Sequence, residues 1–86
     1  MTARILIVDD YEPNLKLLEA RLSYEYFQVY KARDGRGAIE CARALDPDVI
    51  LLDVMMPGLD GYETCKLLKA DPKTAHIPVV MVTALD

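Results

Sequence analysis

The sequence has few of the residues that build disulfide or metal-thiolate scaffolds, with 2 cysteines and 1 histidine in 86 residues. Cys41 and Cys65 belong to no Cys-x-x-Cys pair, so we expect two ordinary buried thiols rather than a disulfide or a zinc site. His76 has no acid or cysteine at ligand spacing and is predicted to be an isolated loop residue. An apolar run of about 20 residues, which a membrane helix needs, is also missing. The N-terminal apolar run is too short for a signal peptide, so these absences together favour a cytoplasmic location.

An excess of basic residues is missing as well. The chain has 10 basic and 14 acidic residues and a formal charge of −4, which argues against direct binding of nucleic acid or of an anionic membrane surface. Because 52% of the residues are hydrophobic, we expect a packed core rather than disorder. The length suits one domain over residues 1–86, without internal repeats.

Short apolar runs alternate along the chain with amphipathic segments. The pattern predicts strands at residues 4–8, 27–32, 49–52 and 78–82, and helices at residues 13–24, 35–45 and 61–70. Asp34 suits the N-cap of the second helix, and Asp60 with Glu63 forms a capping-box pattern before the third. This β-α-β-α-β-α-β order predicts right-handed crossovers and a parallel α/β sheet.

Polar side chains follow three of the four predicted strands. Asp9 and Asp10 follow the first strand, Asp53 the third and Thr83 the fourth. The first and third strands of such a sheet are commonly adjacent, so we expect the three carboxylates to meet in one pocket and to have raised pKa values unless a cation neutralises them. Carboxylate ligands with water suit Mg²⁺, and Asp53 could then act as a nucleophile toward phosphorus. A helix cap or turn explains one acid of this kind, but explains the whole set less well than a metal site does.

The segment after the third strand is predicted to form a tight turn. Pro57 and Gly58 suit such a turn, with a positive φ at Gly58, and Gly61 suits close backbone packing. Met55 and Tyr62 have two interpretations that the sequence leaves open: they flank a bound phosphate, or they only pack against the turn and the third helix.

Three segments of the chain resemble the receiver domain of two-component response regulators. They are Ile5-Leu6-Ile7-Val8-Asp9-Asp10, the run from Asp48 to Gly61 that contains Val49-Ile50-Leu51-Leu52-Asp53, and Ile77-Pro78-Val79-Val80-Met81-Val82-Thr83-Ala84. The resemblance covers the whole chain and is strongest for the first receiver of PleD-type regulators, whose output is a diguanylate cyclase. It implies a flavodoxin-like fold, the fold of the chemotaxis receivers, with strand order 2-1-3-4-5 and helices on both faces.

The resemblance also implies a role for individual residues. Asp53 would accept a phosphoryl group from a histidine kinase or a phosphotransfer protein. Mg²⁺, or Mn²⁺ in its place, would be bound by Asp9, Asp10, Asp53 and the backbone carbonyl of Met55. Thr83 and Ala84 would form the switch and phosphate-binding pair. The domain would promote its own phosphorylation without being an enzyme in its own right.

The family pattern continues beyond the point where this sequence stops. It adds a helix, a fifth strand with a phosphate-contacting lysine, and a last helix, whereas this sequence stops at Asp86. We therefore expect an incomplete receiver that lacks this last helix-strand-helix portion. Its fourth strand would present an unpaired edge, and exposed edges favour association. A homodimer, a domain swap or a longer parent chain is the expected result.

Two other functions compete with the phosphoacceptor interpretation. The incomplete fold could be an interaction or dimerisation module that is never phosphorylated. Alternatively, an aspartate nucleophile at a strand end is typical of haloacid-dehalogenase-type phosphatases. Those hydrolases need a second aspartate two places after the nucleophile, where this sequence has Met55.

Overall fold

A computed structural model describes residues 2–82, in which four strands alternate with three helices. The elements are β1 (Arg4–Val8), α1 (Glu12–Tyr24), β2 (Gln28–Ala32), α2 (Gly35–Leu45), β3 (Val49–Asp53), α3 (Gly61–Ala70) and β4 (Val79–Val82). All the strand pairs are parallel, and the order across the sheet is β2-β1-β3-β4. The predicted α/β class is confirmed, and so is the strand order as far as the fourth strand.

The helix starts follow the predicted caps. The Asp34 carboxylate accepts a hydrogen bond from the Gly37 N–H at 2.7 Å. Asp60 and Glu63 form the full capping box. The Glu63 N–H donates to Asp60 Oδ1 at 2.8 Å, and the Asp60 N–H donates to Glu63 Oε1 at 3.4 Å. Each cap satisfies N–H groups that have no partner inside the first helical turn.

Two strands begin one residue later than their apolar runs suggest, and each shift has a physical reason. Phe27 was predicted to open the second strand, but its N–H closes the end of α1 by donating to the Leu22 carbonyl at 3.1 Å. Pro78 was predicted to open the fourth strand, but proline has no N–H to donate and offers only its carbonyl, which accepts from the Ile50 N–H at 3.0 Å.

Alternate residues of the strands point to opposite faces of the sheet and form two apolar clusters. The larger cluster lies under α2 and α3 and contains Leu6, Val8, Ala32, Ala38, Ala42, Ile50, Leu52, Met56, Leu68 and Ile77. The smaller one lies under α1 and contains Ile5, Ile7 and Leu15, with Leu18 and Leu22 packed against it. Leu17, next to Leu18 in the sequence, is instead 66% exposed. Helices therefore cover both faces, as predicted.

Two side chains hold the connection between α3 and β4. Thr74 is fully buried and its hydroxyl donates to the Leu68 carbonyl at 2.6 Å. The Lys69 ammonium donates to the Ile77 carbonyl at 2.6 Å and to the Ala75 carbonyl at 3.2 Å. The first bond satisfies a carbonyl group in the last turn of α3, and the other two tie the loop before β4 to that helix.

Two predictions about single residues are wrong in detail. Cys41 and Cys65 are free, as expected, but they are half-buried rather than fully buried. Burial still raises the pKa of the Cys41 thiol above its usual value, which leaves less of the reactive thiolate at neutral pH. His76 does have an acidic partner, since its Nε2 lies 2.8 Å from Asp46 Oδ1.

Within residues 2–82, none of the helices combines the length and the apolar character that crossing a bilayer requires.

Candidate functional site

The carboxyl ends of β1 and β3 lie side by side at one edge of the sheet. Their register pairs Val8 with Leu52, so the residues that follow, Asp9 and Asp53, are also neighbours. Asp9, Asp10 and Asp53 each offer one carboxylate oxygen, and these oxygens all lie within 4.8 Å of one another. The structure therefore brings together the three acids that the sequence predicted would meet.

Asp9 is held in place by its own loop. Its Oδ1 accepts a hydrogen bond from the Tyr11 N–H at 2.9 Å, and its Oδ2 accepts one from the Asn14 side-chain amide at 3.2 Å. Both carboxylate oxygens are thus engaged by the first turn of α1. Asn14 was not among the predicted site residues. The available signal was its place directly after Pro13, which puts it in the first helical turn close to Asp9.

Asp53 is the most buried of the three acids, with 9% of its surface exposed. Burial raises the pKa of the Asp53 carboxyl above its usual range, and the nearby charges of Asp9 and Asp10 raise it further. One contact acts the other way, because the Met55 N–H donates to Asp53 Oδ1 at 3.2 Å and lowers the pKa. The sequence predicted a raised pKa because the carboxylates repel one another, but the burial of Asp53 is the larger cause of the increase.

Asp10 completes the cluster from the solvent side. It is exposed, whereas Asp9 is half-buried and Asp53 is buried, so the three carboxylates form a graded series from solvent to core. An ion that approaches this edge of the sheet meets Asp10 first. The predicted fourth ligand, the carbonyl of Met55, belongs to the residue whose N–H already bonds to Asp53.

The turn after β3 has the backbone geometry that the sequence predicted. Gly58 has a φ of 74° in the left-handed region, where residues with a side chain are strained. A Cβ added to Gly61 would lie 2.4 Å from the Asp53 carbonyl oxygen and 2.7 Å from the Val54 Cα. Glycine at position 61 therefore lets the start of α3 pack directly against the backbone that carries Asp53.

A shallow hollow of about 490 Å³ lies beside this turn. Its lining is mainly apolar and consists of Val54, Met55, Met56, Pro57, Asp60 and Tyr62. Met55 and Tyr62 are 69% and 66% exposed, so neither packs into the core. Both side chains line this hollow, and a role for them beside a bound phosphate stays a prediction.

Thr83 and Ala84, the predicted switch and phosphate-binding pair, lie outside the described residues. Their role stays a prediction that follows from the resemblance.

The donor set fits a hard divalent cation. Carboxylate oxygens, completed by a backbone carbonyl and water, are the ligands that Mg²⁺ takes in proteins. The crowding of three carboxylates, one of them buried with a raised pKa, is tolerable at neutral pH if positive charge is supplied between them. The arrangement can therefore bind a cation next to the buried carboxylate of Asp53.

Comparisons with known proteins agree with this geometry. The family model described as "Response regulator receiver domain" matches residues 5–86. The response regulator PleD of Caulobacter vibrioides is 59% identical over all 86 residues, and the chain spans 19% of its length. Protein PilH of Pseudomonas aeruginosa is 44% identical over 84 residues, which are 98% of this chain and 69% of PilH. The predicted likeness to PleD-type receivers is confirmed.

The fold is also shared with solved receivers. The N-terminal domain of a response regulator receiver protein from Methanoculleus marisnigri superimposes with a TM-score of 0.93 at 38% identity, over 95% of this chain and 67% of that one. The flavodoxin-like fold class is thereby confirmed. The matched family describes a receiver rather than a catalytic domain, so the chain alone is not an enzyme and a hydrolase is not supported. The chain belongs to the response regulator receiver domain family.

Proposed function

We propose that this receiver domain accepts a phosphoryl group on Asp53 from a histidine kinase or a phosphotransfer protein. A carboxylate oxygen of Asp53 would attack the phosphorus of a phosphohistidine. The P–N bond would break as the P–O bond forms, and the imidazole would leave with the bonding electron pair. The observation that carries this proposal is the position of Asp53 within 4.8 Å of two further carboxylate ligands.

The metal ligands would be Asp9, Asp10, Asp53 and the Met55 carbonyl. A bound Mg²⁺, or Mn²⁺, would supply positive charge to the phosphoryl oxygens and offset the crowding of the carboxylates. Asp10 is exposed and free to turn toward the ion. Asp9 already accepts two hydrogen bonds and suits a contact through water. Thr83 and Ala84 would contact the phosphoryl group and report its presence.

Incubation with acetyl phosphate and Mg²⁺ tests the proposal directly. We expect the intact mass to increase by one phosphoryl group, and the adduct to map to Asp53. Asp53→Asn should abolish the adduct, while Glu40→Gln, which changes an exposed carboxylate on α2, should leave it unchanged. Beryllofluoride should bind under the same conditions.

Failure to form the adduct or to bind beryllofluoride would contradict the phosphoacceptor function. That result would favour the alternative of an interaction module that works without phosphorylation. An adduct on another residue would contradict the assignment of Asp53.

We further propose that residues 1–86 act as one receiver unit that associates with a second copy. The outer edge of β4 pairs with no strand among residues 2–82, and Val80 in the middle of β4 is 49% exposed. Unpaired strand edges and exposed apolar side chains favour association. Sedimentation that gives a monomer at all accessible concentrations would contradict this.

We also infer a cytoplasmic location and an output in a separate domain. The free cysteines suit a reducing compartment such as the cytoplasm. A diguanylate cyclase output would lie in parts of a longer protein that this chain does not include. Fractionation of cells that express the native gene, with the intact mass of its product, tests both inferences.

A further inference from the structure

Two adjacent methionines of the turn after β3 have opposite surroundings. Met56 is 7% exposed and belongs to the larger apolar cluster, whereas Met55 is 69% exposed. A methionine with most of its surface in solvent contributes little to packing. Its thioether is instead open to oxidants, which convert it to a polar sulfoxide.

Met55 is also attached to the candidate phosphoryl site by a hydrogen bond. Its N–H donates to Asp53 Oδ1 at 3.2 Å, and its side chain lines the hollow beside the site together with Tyr62. The Met55 side chain therefore extends from a backbone group that contacts the proposed phosphoacceptor directly.

We propose that Met55 is an oxidation site at which peroxide lowers the phosphoryl occupancy of Asp53. In this step a sulfur lone pair attacks one oxygen of hydrogen peroxide, an S–O bond forms and the O–O bond breaks. The sulfur is oxidised by two electrons to the sulfoxide, and the peroxide is reduced to water. The consequence for phosphorylation depends on the proposed role of Asp53, whereas the oxidation itself does not.

Oxidation of Met55 is expected to lower the phosphoryl occupancy of Asp53 because it adds partial negative charge. A sulfoxide oxygen carries partial negative charge and has no proton to donate. Met55 lies two residues after Asp53 and its N–H bonds to that carboxylate, so this charge would be added next to a cluster of three carboxylates, where a phosphoryl group brings further negative charge. The added repulsion disfavours the phosphorylated form. The polar oxygen also brings water into a hollow whose lining is mainly apolar.

Peptide mapping after a brief exposure to hydrogen peroxide tests the site itself. The exposed fractions of Met55 and Met56, 69% and 7%, differ about tenfold, so we expect Met55 to gain oxygen about tenfold faster. Met56 is the internal control, because it is the same residue type in the same peptide. A thiol reductant added afterwards returns reversibly oxidised Cys41 and Cys65 to thiols. Equal rates at the two methionines would overturn the proposal.

The effect on Asp53 is measured as the steady-state phosphorylated fraction with acetyl phosphate and Mg²⁺. Oxidation should lower this fraction about threefold or more, and methionine sulfoxide reductase should restore it. The ratio of oxidised to untreated protein should stay near one in Met55→Leu, which has no sulfur to oxidise. Met55→Gln, with a polar oxygen in its side chain, should have a lower fraction without peroxide.

The possible failures are distinguishable. An untreated protein that gains no phosphoryl group contradicts the proposed function of Asp53. A protein that is phosphorylated equally before and after Met55 oxidation contradicts only the regulatory proposal. An equal loss in Met55→Leu would assign the effect to another oxidised residue and would also overturn it.

Discussion

Asp53 is a buried carboxyl with two acidic neighbours, and both its burial and their negative charges raise its pKa. Its raised pKa means that the folded state holds the proton of this carboxyl more tightly than the unfolded chain does. The protonated group therefore contributes stability that is fully present below the usual aspartate pKa. That stability is lost as the pH rises through the higher pKa of the folded state.

Asp53→Asn should accordingly raise the melting temperature at neutral pH in the absence of divalent cations, because asparagine cannot ionise. The difference from the unsubstituted protein should shrink below a pH of about 3.9, where the unfolded carboxyl is protonated too. Added Mg²⁺ should stabilise the protein with Asp53 more than the variant. Thermal melts across this pH range measure both effects, and Glu40→Gln is the control. A variant that is less stable at neutral pH would contradict the explanation.

Gly61 permits the closest backbone approach in the site. Gly61→Ala would place a Cβ 2.4 Å from a main-chain oxygen that cannot move aside without shifting Asp53. We expect a loss of about 1–3 kcal/mol in the free energy of unfolding, together with weaker Mg²⁺ binding. Denaturant titration and a Mg²⁺ titration measure the two effects.

Gly58→Ala is the matched control, since nothing lies within 4 Å of its added Cβ and only the positive φ opposes the substitution. It should cost about 1–2 kcal/mol and leave Mg²⁺ affinity nearly unchanged. Equal losses of affinity in the two variants would show that the close approach at Gly61 has no special role.

The site residues could be predicted as far as their contacts follow from strand order. Asp9, Asp10 and Asp53 end strands whose adjacency is a property of the fold, so their meeting follows from the pattern of apolar runs. The contact between Asp46 and His76 joins residues 30 positions apart. Both lie in loops, which have no periodicity from which a partner could be inferred.

At the scale of elements, the caps and apolar faces were predictable and the ends of the strands were less so. Asp34, Asp60 and Glu63 are local signals whose partners lie within three residues, so a linear sequence contains them. The first residue of β4 depends on Pro78 and on the loop before it. The hydrogen bonds of that loop join it to α3, from the Thr74 hydroxyl to the Leu68 carbonyl and from the Lys69 ammonium to the Ile77 carbonyl, and no sequence pattern specifies them.

Thr74 gives a test of how firmly this loop is held. Thr74→Val keeps the shape of the side chain but removes the hydroxyl, leaving the Leu68 carbonyl without its buried donor. We expect unfolding to become easier by about 1–3 kcal/mol. Thr74→Ser keeps the hydroxyl and should retain more of the stability, although it loses a methyl group. Chemical denaturation compares them, and a valine variant as stable as the original would contradict the importance of this bond.

At the scale of the whole molecule, the two faces of the sheet are unequally covered. Two helices lie over the larger apolar cluster and α1 lies over the smaller one. Val80 lies on the face of the sheet that α1 alone covers and in the outermost strand, β4. Its surface is 49% exposed. Among residues 2–82, the outer edge of β4 pairs with no strand.

Val80→Lys should weaken self-association, because a charge on an edge strand opposes pairing and apolar contact. Analytical ultracentrifugation across a concentration series measures the change, and we expect a shift toward the monomer. Leu67→Lys alters another exposed apolar residue, on α3, and should leave the association constant nearly unchanged. An equal shift in the two variants would indicate unspecific apolar contact rather than an interface at β4.

The two hydrogen bonds on Asp9 have an energetic consequence for the cation that we propose binds beside it. A carboxylate that is free to rotate gives up entropy when it coordinates a cation, and this loss weakens affinity. Asp9 has already given up that freedom during folding, through its bonds to Tyr11 and Asn14. Removing the Asn14 side-chain amide should therefore lower the affinity for a cation although every ligand carboxylate is still present. The cation affinity would then report how rigid the start of α1 is.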